Sequence, residues 1–153
     1  MNEIRDALAG HPFFVGLDQQ RIDALAAFTF VREVPAGMWI AHTGGQADVF
    51  HAIVHGRAGI EIHAADREPL VVATVHAGEV IGWSWFVQPH RWHFDVIALD
   101  TMRLLDIDAA RLRAACTADH ELGFHVAGQL TQVLASRLEA TRHQLVDIYG
   151  IAR

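Results

Sequence analysis

Between Thr29 and Asp106 the sequence is broken roughly every ten residues by turn-forming clusters. They stand at Pro35-Ala36-Gly37, Gly44-Gly45, His55-Gly56-Arg57, Ala65-Asp66-Arg67 and Ala77-Gly78. The runs between them favour β-branched and aromatic residues, which suit a pleated, half-buried surface. Segments this short leave no room for helices of several turns, and evenly spaced strands of this kind close into a small antiparallel jelly roll. With 153 residues, 52% of them hydrophobic, the chain can bury one core and has no length for a second domain.

On either side of this region the period lengthens. Ile22, Leu25, Ala26 and Phe28 follow near-helical spacing, and Asp18 stands where an N-cap belongs, so a short helix is expected there. Beyond Asp108 the pattern predicts a short helix through Ala115 and a long one from about Asp119 to Tyr149. On the long helix Ala127, Thr131, Leu134, Leu138, Thr141, Leu145 and Ile148 alternate four and three apart, the a/d seam of a coiled coil. The seam predicts a homodimer, because the upper part of the helix is expected to run past any strand that would cover it. The other reading packs the same stripe on its own barrel.

From Gly78 to Ala98 the chain reads Gly-Glu-Val-Ile-Gly-Trp-Ser-Trp-Phe-Val-Gln-Pro-His-Arg-Trp-His-Phe-Asp-Val-Ile-Ala, a glycine-punctuated turn, an expected short helix and a strand. Glycine permits close backbone approach, and the free N–H groups of a helix start favour an anion. This stretch resembles the phosphate-binding cassette of cyclic-nucleotide-binding domains. Two further stretches match in the right order. Ala47 to Ala58 is similar to the family's hairpin closing on a glycine turn, and His11-Pro12-Phe13-Phe14-Val15-Gly16-Leu17 to its lead-in, which packs the N-terminal helix on the barrel. The resemblance implies an α+β fold: a small antiparallel jelly-roll β-barrel with an N-terminal helix and a long C-terminal dimerisation helix. As one domain over 1–153, it divides into a helical segment 1–28, a barrel 29–107 and helices 108–149.

In that family backbone amides and an arginine hold the cyclic phosphate, a glutamate takes the ribose hydroxyl, and a threonine of the long helix meets the base. Carried over by position, Gly82 and the amides of Trp83, Ser84 and Trp85 keep the anion-facing turn. Trp83 replaces the glutamate, and its single indole donor cannot accept the hydroxyl's hydrogen bond. Trp92-His93-Phe94 replaces the Arg-Ser/Thr-Ala triplet. Arg91 lies one residue early, so it reaches the site only through a bulge, or else stacks on a neighbouring ring. Thr141, in Ser136-Arg137-Leu138-Glu139-Ala140-Thr141, falls at the base-contacting position or sets dimer register. Candidate ligand-binding residues are therefore Gly82, Trp83, Ser84, Trp85, Arg91, Trp92, His93 and Thr141. The cluster Trp83, Trp85, Phe86, Trp92 and Phe94 either fills the old pocket from inside or builds an apolar site for another ligand.

Other chemistries find less support. The twelve basic residues are all arginine and form no stripe, net charge is −6, and after the long helix only Gly150 to Arg153 follow where transcription-factor relatives carry a helix-turn-helix, so no DNA binding is expected. One cysteine, Cys116, excludes an iron–sulfur cluster. No apolar run reaches a membrane span and the start lacks a signal peptide, so a cytoplasmic protein is expected. Ser84 lacks a nucleophile elbow and Cys116 has no base near it in sequence, so no enzyme is expected. Of the eleven histidines, His51 and His55 would share a strand face, a cupin-like metal alternative, though no metal is expected. The expectation is thus a stand-alone regulatory, sensor or interaction module with an altered pocket and no cofactor. Its partners are a second copy and a protein or small-molecule effector, and binding of a cyclic nucleotide or another small anionic ligand through a modified cassette is the alternative.

Overall fold

The computed structural model describes residues 2–150, so the expectation about the chain after Gly150 lies outside the described residues. Helices α1 (Asn2–Gly10) and α2 (Gln19–Ala26) precede eight strands: β1 (Thr29–Val34), β2 (Trp39–Ala41), β3 (Val49–His55), β4 (Ala58–Ile62), β5 (Leu70–Val75), β6 (Val80–Ile81), β7 (Asp95–Ala98) and β8 (Met102–Asp108). Helices α3 (Ala109–Ala118) and α4 (His120–Ile148) follow. The strands form two four-stranded antiparallel sheets, β1-β8-β3-β6 and β2-β7-β4-β5, the jelly roll that the turn spacing implies. Asp18, Asp108 and Asp119 cap α2, α3 and α4 by accepting backbone N–H bonds, which fixes where each helix begins. The third helix runs one turn past the predicted Ala115.

The first sheet has two buried faces. Phe50 packs edge-on against Phe13 and Phe14 of the lead-in, at centroid distances of 5.1 and 6.3 Å, so the face holding Phe50, Leu105 and Ile107 meets the N-terminal helical layer. The alternate residues His51, Ile53 and Leu104 point between the sheets. Arg21 ties the layer together, bonding Asp119 at 2.7 Å and also pairing with Asp18 and Glu121.

The lead-in is pinned by a buried histidine. Phe13 N–H donates to His11 Nδ1 at 3.2 Å, so the proton sits on Nε2 and is donated to the Ile53 carbonyl at 3.1 Å. Burial lowers the pKa of His11 from its ordinary 6.5, outweighing the pull of the Ile53 and Glu79 carbonyls. A depressed pKa means that the unfolded chain takes the proton more readily. The stability that neutral His11 provides is therefore complete above pH 6.5 and is lost as pH falls through the folded-state value. Urea melts across this window should show an acid loss that His11→Gln flattens; a wild-type and variant with parallel profiles would contradict the assignment.

Candidate functional site

The cassette opens at Gly82, whose φ of +72° lies in the left-handed region. The short helix predicted after it is absent: Trp83 to Phe86 form a single turn, closed by Phe86 N–H to the Trp83 carbonyl at 3.0 Å. Ser84 and Trp85 are both fully buried, and Gln88 before Pro89 is biased away from helical geometry, which limits how far a helix could run. The anion-facing helix start that the sequence suggests is reduced to this turn.

The aromatic residues divide among three places. Trp85 stacks on Phe50, centroids 4.5 Å apart, on the helix-facing side, and Arg113 of α3 donates to its carbonyl. Its indole N–H and the Ser84 hydroxyl are buried without a partner among the described residues. Trp83 stacks on the exposed His93 at the rim, 5.0 Å apart. Trp92 turns inward and is buried; its ring lies over Gly82 so closely that a Cβ there would stand 2.6 Å from Cζ3. Phe94 packs edge-on against it, and His51 stacks near-parallel on it at 5.9 Å. The volume beside Gly82 is therefore occupied by an indole.

Behind Trp92, His51 Nδ1 lies 2.6 Å from Asp106 Oδ1, and Arg32 Nε lies 2.6 Å from Asp106 Oδ2 but off the hydrogen-bond direction. These three line a cleft of about 300 Å³ with Gln46, Asp48 and Trp92. The convergence of His51 and His55 that the metal alternative needs does not occur. A register shift between Ile53 and His55 sends His55 to the exposed side while His51 stays buried. Nothing on the sequence marked that bulge. Among the described residues no group of three metal-ligating side chains comes together.

Arg91 does not take the inward position. Its residue forms an isolated bridge with Gln46, and the exposed guanidinium donates to the Gly44 carbonyl at 2.9 Å. Thr141 is exposed and donates to the Arg137 carbonyl one turn back at 2.8 Å. Gly82, Trp83, Trp92 and His93 are thus gathered at the turn, whereas Ser84 and Trp85 face the core and Arg91 and Thr141 bond elsewhere. Sequence reasoning missed Arg113 as the cassette's anchor and Asp106 as the partner of His51. No spacing signal joins residues so far apart in the chain.

The seam of α4 has its own geometry. Leu122, Val126 and Leu130 are buried, whereas Leu134, Leu138, Leu145 and Ile148 are exposed, Leu138 at 53% and Ile148 at 74%. The upper helix does not run clear of the barrel, however: Gln144 donates to the Val72 carbonyl of β5 at 2.9 Å. Phe124, three residues before Ala127, extends the seam toward the start of the helix and is 82% exposed.

A family model described as the cyclic nucleotide-binding domain matches residues 31–119. No curated protein sequence matches the chain. Among solved structures, one named for cyclic nucleotide binding from Geobacter metallireducens GS-15 is 22% identical with a TM-score of 0.78, covering 88% of this chain and 97% of that one. The catabolite activator protein of Thermus thermophilus is 21% identical, with a TM-score of 0.69 over 88% of this chain and 61% of its own. The regulatory subunit of a cAMP-independent protein kinase A from Trypanosoma brucei, a triple mutant bound to cAMP in its A site, is 22% identical. Its TM-score is 0.71, over 86% of this chain and 47% of its own. No helix among the described residues is long and apolar enough to cross a membrane.

Proposed function

Because the chain belongs to the cyclic nucleotide-binding domain family, we propose that it is a non-enzymatic, cytoplasmic regulatory module, acting as a homodimer, whose cassette no longer serves a cyclic nucleotide. The observation that carries this reading is the Trp92 ring lying over Gly82, where the family's arginine would reach for phosphate. Trp83 offers no acceptor for a ribose hydroxyl. Arg91 is spent on Gly44 and Thr141 on its own helix, which disfavours the alternative in which they rebuild the pocket.

The dimer would form along Phe124, Leu134, Leu138, Leu145 and Ile148, whose exposed apolar side chains share one side of α4. Loss of a buried charged partner costs about 2 to 5 kcal/mol, so losing both the arginine and the glutamate takes a micromolar affinity to the millimolar range or beyond. Titration calorimetry with cyclic AMP is expected to give no measurable heat of binding. Micromolar binding that Arg91→Ala abolishes would overturn the proposal.

A further inference from the structure

We propose that the cleft between α4 and the turn leading into β6 binds a small monocarboxylate through Arg137. The cleft measures about 290 Å³. Gln129, Gln132, Val133, Ser136 and Arg137 form one wall, and Gly78, Glu79 and Val80 with Pro12 and Phe13 form the other. It is separate from the space over Gly82 and does not depend on how the cassette is read.

Like Arg91 and Arg113, Arg137 has no carboxylate partner among the described residues, and of these three it alone lines this cleft. Arg5, Arg21, Arg32, Arg57 and Arg103 each pair with a carboxylate. Arg137 is half-buried, and among the described residues its Nη2 reaches only the Val80 carbonyl, at 3.3 Å. A guanidinium has five N–H donors, and a desolvated cation without an anion is costly. Burial accordingly pulls its pKa below the ordinary arginine value, and the field of Glu79 restores only part of this. A carboxylate in the cleft would supply what is missing.

The chemistry of the walls narrows the ligand. The planar fork of arginine matches the two oxygens of a carboxylate. One cation, already under the field of Glu79, cannot neutralise a dianion, which disfavours phosphate. Gln129, Gln132 and Ser136 add hydrogen-bond donors to the lining, while Phe13, Pro12 and Val133 offer apolar surface to a body of a few carbons. Ser136 and Leu138 lie about 200° apart around the helix, so the cleft stays open when the seam is paired.

The test is an NMR titration of the arginine Nε–H resonances with butyrate, with inorganic phosphate and chloride at matched ionic strength as comparators. Saturable movement of the Arg137 resonance at millimolar butyrate, and not with phosphate or chloride, is expected. Arg137→Lys should weaken binding about tenfold by losing the bidentate fork, and Arg137→Gln should abolish it. Glu79→Gln, on the exposed turn, should tighten it severalfold. No saturable response to butyrate, an equal or stronger response to phosphate, or unchanged affinity in Arg137→Gln would each overturn the proposal. If Arg137→Gln does not fold, unchanged affinity in Glu79→Gln does so instead.

Discussion

Trp92→Ala is expected to cost about 3 to 5 kcal/mol of stability, the range for removing a buried aromatic ring, and to leave a hole over Gly82. The ring touches Gly82, His51 and Phe94, residues of three separate segments, so the gap cannot close by moving one side chain. A second substitution dissects the effect. In the wild type, Gly82→Ala meets two obstacles: a Cβ 2.6 Å from the indole, and a φ of +72° that costs a side-chain-bearing residue about 1 to 2 kcal/mol. In the Trp92→Ala background the clash is gone and the strain stays, so the cost of Gly82→Ala should shrink to the strain alone. Urea denaturation of the four proteins gives the coupling energy. Additive costs would mean that the indole does not sit against Gly82, and the filled-pocket reading would go with it.

The second large effect concerns assembly. Leu138→Glu with Leu145→Glu would place charges into a paired apolar seam and should turn a dimer into a monomer. Both side chains are exposed within one protomer, so the barrel should keep its own unfolding transition. Sedimentation equilibrium at micromolar concentration reads the outcome directly. A wild-type protein already monomeric there would remove the dimer from the proposal, as would a double variant that sediments as the wild type does.

The strand region was legible because its turns are chemical events: Gly37, Gly44, Gly56 and Gly78 all adopt positive φ, a conformation that leaves its mark in composition. Helix starts were legible for the same reason, since Asp18 and Asp119 do their capping through their own side chains. The site was harder. The sequence could place Trp92 at the arginine's position, and it left two readings for the aromatic cluster; only packing distinguishes a ring over Gly82 from one facing outward. No residue inside the bulge at Ile53 to His55 is glycine or proline, and Gly56 beside it reads as the hairpin turn, so the histidine pair looked regular. The cassette helix was inferred from its relatives' pattern, and the chain forms only one turn before Gln88 and Pro89.

The hydrogen bond from Arg113 to the Trp85 carbonyl has a mechanical meaning. It hangs the floor of the cassette from α3, and α3 is pressed onto α4 so closely that a Cβ on Gly123 would stand 2.7 Å from the Cys116 carbonyl. Cassette, bracket and long helix thus form a lever with little slack. Whatever lifts the turn must either break that bond or carry the root of α4 with it.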